Sequence, residues 1–307
     1  MRAVAYSSYG GPEVLQVQEL PDPKVGPDTV LVRVEAAGVN PVDFKVREGY
    51  LDGAFPVHFP VVPGWDVAGV VEAAGPAVTE FAVGDPVLGY VRRDEIQHGT
   101  AAELVPAPVR TLARRPASLP AEQAAAIPLA GLTALQAVEA AGVGAGDVVL
   151  VHAAAGGVGT FAVQLAALRG ARVIGTASEG NHAFLRELGA EPVAYGEGLG
   201  ERVTALAPDG VDAVLDLVGG EALEASAGLV RDVSRVVSIT DAATVLGMGG
   251  RYVFVRPDSA QLGELARLAD AGDLRVVVDE VLPLEEVAKA HERLQTGHGR
   301  GKVVVVP

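Results

Sequence analysis

The chain has 307 residues, 49% hydrophobic and 21% charged, a globular composition with room for two cores and too apolar to stay disordered. Cysteine is absent, which removes disulfides, iron–sulfur clusters, Cys-ligated zinc and thiol nucleophiles. With 24 Lys+Arg against 39 Asp+Glu the net charge is -15, a field that repels phosphate backbones and anionic lipid surfaces, so neither nucleic acid nor a membrane is an expected partner.

The opening stretch MRAVAYSSYGGPEVLQV lacks the unbroken apolar run of a secretory signal, and a cytoplasmic protein is expected. From there to about residue 115 the chain is a series of short apolar runs (VLQVQEL, TVLVRVEAAGV, DVAGVVEAAG, DPVLGYV, AELVPAP) broken by Gly, Pro and Asp. That rhythm predicts a β-rich domain with close turns. Within it Leu31, Arg33 and Glu35 alternate with Val30, Val32 and Val34, the pattern of a half-buried strand.

Near Pro116 the texture becomes Ala-rich and helical, and strands then alternate with helices. Val148–His152 reads as a strand, Val158–Arg169 as a helix, Ala171–Ala177 as a strand, and Asn181–Leu188 as a helix closed by Gly189. Pro192–Tyr195, Val211–Val218, Arg235–Ile239 and Arg251–Arg256 read as further strands. Strands separated by helices specify a parallel, doubly wound sheet, because each parallel crossover needs a helix to return the chain. Val148 to Leu168 carries no charge, yet its glycines and polar residues divide it into strand, turn and helix rather than a membrane span. After about Gly263 come a helix, the strand LRVVVDEV, the helix EEVAKAHERLQ and the strand KVVVV, whose β character points back to the first domain.

The segment VVLVHAAAGGVGTFAVQLAALRG runs from strand through glycine turn to helix, which is the setting of a dinucleotide site. In the G-x-G-x-x-G frame Gly156 and Gly159 take the second and third glycine positions, and Ala154 stands at the first. Gly156 and Gly157 let the backbone approach a pyrophosphate, Gly159 lets helix pack on strand, and the amides around Ala155, Val158 and the glycines attract the anion. The next strand ends TASEGNH, without a charge at its tip. Ser178, Asn181 and His182 are donors for a 2′-phosphate, which favours NADPH over NADH, although Glu179 is adjacent as either a ribose ligand or a solvent-facing acid. Ile239, Phe254, Val255 and Arg256 follow later strands, at carboxyl ends where a doubly wound sheet meets its ligand. Arg256 faces either an anionic cofactor or a surface acid.

The segments GVNPVDFKVREG, PGWDVAGVVEAAGPAVTEFAVGDPVLG, AAIPLAGLTAL, HAAAGGVGT, FLRELGA and GRGKVVVV, in this order over nearly the whole chain, resemble the zinc-independent quinone oxidoreductase (zeta-crystallin-like) branch of the medium-chain dehydrogenase/reductase superfamily. The resemblance implies an α/β protein with a GroES-like β-rich domain (1–118 and 265–307) around a Rossmann doubly wound parallel-sheet domain (119–264), and an active site in the cleft. It implies NADPH-dependent, metal-free hydride transfer to a quinone or to a carbon–carbon double bond conjugated to a carbonyl, and a homodimer joined through the Gly250–Pro257 strand. Zinc-dependent relatives carry His-Glu where this chain has Trp65-Asp66, and the histidines at 58, 98, 152, 182, 291 and 298 show no ligand spacing.

The same resemblance assigns catalytic positions. Asn40 falls in the loop that faces the nicotinamide in relatives, although Asn40, Pro41 and Asp43 also read as a helix start. Lys45 stands where many members have Tyr and where those reducing enones or enals can have Lys, so its ammonium is a candidate donor to the substrate oxygen; a solvated helix-face lysine is the alternative. Tyr50 covers the cleft, donates a proton, or is a packed aromatic at the loop end. Thr133 resembles the threonine beside the nicotinamide amide, and Tyr195 the tyrosine beside the cofactor phosphate or ribose. The competing functions are a ketone or alcohol oxidoreductase on the same fold and a non-catalytic NADP-binding redox sensor or structural protein.

Overall fold

The computed structural model describes residues 1–297 and 299–307, and the chain divides into two units, Met1–Leu129 with Pro257–Pro307 and Ala130–Arg256. His298 lies outside the described residues. Among the described residues no helix is long and apolar enough to cross a membrane.

In the first unit β1 (Arg2–Ala5) pairs antiparallel with β2 (Gln16–Glu19). The long β3 (Thr29–Val39) buries Val30, Val32 and Val34 and leaves Arg33 in solvent, so period-two alternation sets which face meets the core. It runs through Asn40 into α1 (Pro41–Arg47), where Pro41 sits at the start and Asp43 accepts the Asn40 amide proton at 2.7 Å. β4 (Asp66–Ala74), β5 (Pro86–Tyr90), β6 (Leu104–Pro108) and β7 (Leu112–Arg114) follow, then α2 (Ala121–Ala125).

The second unit opens with α3 (Pro128–Ala140), which starts at the boundary. β8 (Val148–Val151), α4 (Gly157–Leu168), β9 (Arg172–Ala177), α5 (His182–Glu187) and β10 (Ala190–Ala194) make its first half. α6 (Leu199–Leu206), β11 (Ala213–Asp216), α7 (Gly220–Ser226), β12 (Val236–Ser238), α8 (Ala242–Gly247) and β13 (Arg251–Tyr252) complete it. The strands form one six-stranded parallel sheet in the order β10-β9-β8-β11-β12-β13, doubly wound with its switch point between β8 and β11. The uncharged stretch 148–168 is β8, the glycine turn and α4.

The chain then returns through α9 (Ser259–Asp270), β14 (Val278–Pro283), α10 (Val287–Gln295) and β15 (Lys302–Val306) to the first unit's seven-stranded sheet, in which β15 lies between β14 and β3. The structure carries residues 119–129 and 257–264 with the first unit, where the sequence pattern has them with the second. The reason is packing: Ala124 and Ala125 are fully buried in that unit, the Ala125 carbonyl would lie 2.3 Å from a Cβ at Gly38 of β3, and Ser118 hydrogen-bonds Asp270 of α9.

Strand ends are shorter than the sequence pattern suggests. β13 stops at Tyr252 rather than Arg256 because its partner β12 ends at Ser238, whose carbonyl takes the Val253 amide at 3.0 Å as its last bond; the Arg256 amide goes to the Gln136 side chain instead. The tail strand starts at Val278, not Leu274.

Candidate active site

The end of β8 and the start of α4 are held close. A Cβ on Gly159 would sit 2.3 Å from the Ala153 carbonyl oxygen and 2.7 Å from the Ala154 backbone, so only glycine lets the helix lie this near the turn. Ala153 takes a left-handed conformation at φ 49°, one residue before the frame's first glycine position, where Ala154 is buried with its amide bonded to the Thr176 carbonyl at 2.9 Å. Backbone strain sits at Ala153, therefore, while Ala154 packs 2.8 Å from where a Cβ on Gly175 would be. The first intrahelical bond of α4 is donated by Thr160 to Gly156 at 3.0 Å. The amides of Gly157, Val158 and Gly159 thus precede the helix ladder and present donors and the positive end of the dipole. Ala155 contributes backbone only, its side chain being buried. These features fit a dinucleotide diphosphate.

Ser178 is exposed at the tip of β9 beside the exposed Glu179, and Asn181 Nδ2 donates to Ser178 Oγ at 3.3 Å. On the neighbouring strand Ala194 is in register with Ala177, which places Tyr195, 60% exposed, next to Ser178 along the strand ends. Arg202, on α6, binds this corner: its Nε donates to the Ala194 carbonyl at 3.0 Å and its Nη2 to Tyr195 and Gly196 at 3.4 and 3.3 Å. This arginine lies close in sequence, six to eight residues from the carbonyls it binds, but no motif marks it. Past the switch point, the fully buried Asp216 accepts from the Gly219 amide at 2.9 Å and from Ser238 Oγ at 2.6 Å, tying the tips of β11 and β12. Ile239 follows β12 with its amide on the Asp216 carbonyl, and Phe254 is 46% exposed while Val255 is covered and Arg256 open. Topology thus brings residues 155–159, Ser178, Asn181, Tyr195, Ile239 and 254–256 to the carboxyl ends of one sheet; Thr133 is buried in α3.

Of the described histidines, His152 is buried against Ser226 Oγ at 2.8 Å and His291 against Arg47 at 3.1 Å, both pushed below the usual imidazole range by burial, His291 to about 3.

In the first unit Asn40 is 2% exposed and both ends of its amide are engaged. Its Oδ1 accepts from Lys302 Nζ, and its Nδ2 donates to Asp66 Oδ2 at 2.9 Å. Lys302 also donates to the Val39 carbonyl at 2.8 Å, and Asp66 Oδ1 accepts the Leu129 amide at 2.8 Å. Here the structure departs from the expected role: Asn40 is a buried joint between β3, β4 and β15, not a donor open to substrate. Burial pushes the Asp66 carboxyl up to about 6 against the pull of Lys302, raises Asp43 to about 7 and lowers Lys302. Nothing in local pattern signals this network, because Lys302 lies far along the chain from Asn40 and Asp66. Lys45, by contrast, is exposed and has no ion pair or hydrogen bond from its side chain among the described residues; Tyr50, 73% exposed, bonds its amide to the Lys45 carbonyl at 3.0 Å. Tyr50 is therefore open rather than packed.

Residues 26–117 match the family described as alcohol dehydrogenase GroES-like domain, and residues 188–305 the one described as zinc-binding dehydrogenase. The chain is 36% identical over 317 residues to an NADPH-dependent alkenal/one oxidoreductase of Arabidopsis thaliana, covering 100% of this chain and 80% of that one. It belongs to the quinone oxidoreductase branch of the medium-chain dehydrogenase/reductase superfamily. Two solved structures agree on the fold: the quinone oxidoreductase from Coxiella burnetii, 36% identical with TM-score 0.90 over 100% of this chain and 99% of that one, and an NAD-dependent alcohol dehydrogenase, 37% identical with TM-score 0.90 over 100% of both. Zinc, which one matched description names, does not fit the side chains of this branch member. Among the described residues no group of three or more His, Asp or Glu could hold a metal, the chain has no Cys, Trp65 stands beside Asp66, and Asp66 is spent on Asn40, Lys302 and Leu129.

Proposed function

We propose that this chain is an NADPH-dependent, metal-free reductase of α,β-unsaturated carbonyls and quinones. The observation that carries the reading is the glycine-held α4 terminus, where three successive amides stand ahead of the helix ladder at the switch point of a doubly wound sheet. The relative named an alkenal/one oxidoreductase and the neighbour named a quinone oxidoreductase support the substrate class.

NADPH, when bound, supplies hydride from its nicotinamide. Gly157, Val158 and Gly159 would hold its diphosphate, and the strand ends at Ser178 and Tyr195 its adenosine half. The protein's remaining task is the substrate oxygen. Hydride arriving at the β-carbon leaves an enolate, and at a quinone a hydroquinone anion, so negative charge grows on an oxygen. Lys45 supplies an ammonium for that oxygen, and Tyr50 or solvent the proton. Nothing in this scheme needs a Lewis acid, since conjugation already spreads the charge.

The neighbour named an NAD-dependent alcohol dehydrogenase favours a second reading, reduction of simple ketones with NADH. That chemistry asks for stronger polarisation of oxygen, and the donors for a metal are absent among the described residues. The test is NADPH and NADH consumption with an alkenal, a quinone and a simple ketone, with and without chelator. Turnover of the ketone alone, or loss of activity on chelation, refutes the proposal, and tight cofactor binding with no turnover of any of the three favours a binding protein. A homodimer through the edge strand β13 and the exposed Phe254 belongs to the same proposal, and a sedimentation mass near one chain refutes it.

A further inference from the structure

Arg202 stands out among the cations of the second unit. Arg169, Arg172, Arg231 and Arg235 are ion-paired with Glu139, Glu191, Asp212 and Asp147. Arg172 and Arg251 open β9 and β13 and Arg235 precedes β12, all at the amino ends of strands, away from where such a sheet takes its ligand. Arg202 is placed oppositely. It lies in the helix that leaves the carboxyl end of β10, and it is held by carbonyls alone, with no carboxylate partner among the described residues although Glu197 and Glu201 are near in sequence.

The loop is shaped around it. Gly196 and Gly198 take left-handed conformations at φ 87° and 75°, which turns three successive carbonyls onto one guanidinium. Nε and Nη2 are used in this way, while Nη1 has no hydrogen-bond acceptor among the described residues, and a Cβ on Gly198 would come 3.0 Å from it. The corner it occupies is that of Tyr195, one strand over from Ser178 and Asn181. An arginine whose fork is pinned on one edge by neutral acceptors keeps its full charge and a free donor edge, an arrangement suited to a phosphate dianion.

We propose that Arg202 is the specificity-determining cation for the 2′-phosphate of NADPH, so that cofactor choice is read from the loop after β10 rather than from a basic residue at the tip of β9. The inference rests on the NADPH reading above. It accounts for the uncharged tip of β9.

The test is equilibrium binding by calorimetry of NADPH, NADH and 2′,5′-ADP to the wild type, R202Q and R202K. R202Q is expected to weaken NADPH and 2′,5′-ADP by about tenfold or more while NADH changes by less than about twofold, and R202K to keep most of the preference. Were R202Q to fail to fold, R202M takes its place: a fall in the NADPH-to-NADH affinity ratio that R202K does not share supports the assignment, and a ratio unchanged in R202M overturns it, leaving Arg202 a loop brace. A wild type that binds NADPH and NADH equally sinks the NADPH reading itself and this assignment with it, whereas a clear wild-type preference that survives R202Q sinks the assignment alone.

Discussion

Replacing Gly159 with Ala tests the central geometry of the site. The added Cβ would meet the Ala153 carbonyl oxygen at 2.3 Å and the Ala154 Cα and carbonyl carbon at 2.7 Å, whereas ordinary contact begins at 3.4 Å. All three obstructing atoms belong to the backbone, so no side chain can rotate away, and α4 must move off the turn by about 1 Å. Overpacking of this kind costs about 1–3 kcal/mol, and the better helix propensity of Ala returns up to about 1. A net loss of roughly 1–2 kcal/mol lowers the thermal midpoint by several degrees. The same shift carries the Gly157–Gly159 amides out of position, and a displacement near 1 Å at a positioned group costs up to about a hundredfold in what it supports. Thermal unfolding followed by circular dichroism and NADPH calorimetry read the two effects. Gly263→Ala in α9 is the matched control, because a Cβ there meets nothing within 4 Å and the substitution is expected to stabilise by about 0.5–1 kcal/mol. A Gly159→Ala protein that melts and binds NADPH like the wild type refutes the argument.

Asp43 is fully buried with its carboxyl raised from 3.8 to about 7, so the stability it contributes is complete below the ordinary carboxylate range and is lost as pH rises through about 7. D43N keeps an acceptor for the Asn40 amide without the charge, and urea midpoints should therefore fall less between pH 5 and 8 than in the wild type; equal slopes argue against the assignment. K302M leaves the Asp66 carboxylate buried without its cation and is expected to destabilise by about 3–5 kcal/mol in denaturant unfolding, with D66N/K302M losing less than the sum of the single variants. Additive losses would mean the two groups are not coupled. K45A is expected to lower kcat on an alkenal by about tenfold or more with the affinity for NADPH unchanged, and an unaltered kcat would return Lys45 to the role of a solvated surface lysine.

What the sequence made legible was whatever is written in local pattern. The strand–glycine turn–helix at 148–168 was readable because hydrophobic period and glycine position lie within one short stretch, and the parallel sheet followed from the alternation of strands with helices. Strand ends were not readable, because a strand stops where its neighbour stops: β13 looks like six strand residues in isolation and is two beside Ser238. Ala153 was also hidden, since a left-handed alanine has no composition signal. In the candidate site, the fate of Asn40 depended on Lys302, far along the chain, and Arg202, only eight residues from the Ala194 carbonyl it binds, had no motif to mark it. Side chains that act through partners distant in sequence carry no periodicity to betray them.

The position of β15 has a consequence for biosynthesis. Residues 302–306 slot between β14 and β3, and Lys302 closes the joint that Asn40 and Asp66 begin. Translation therefore delivers the nucleotide-binding unit as one uninterrupted piece, able to condense while the ribosome is still working, whereas the sheet started at the amino end must wait with an open edge and an unneutralised acid until the closing segment emerges. The part made earliest is the part finished last, and in the interval that waiting edge is where a nascent chain of this design is most exposed to mispairing.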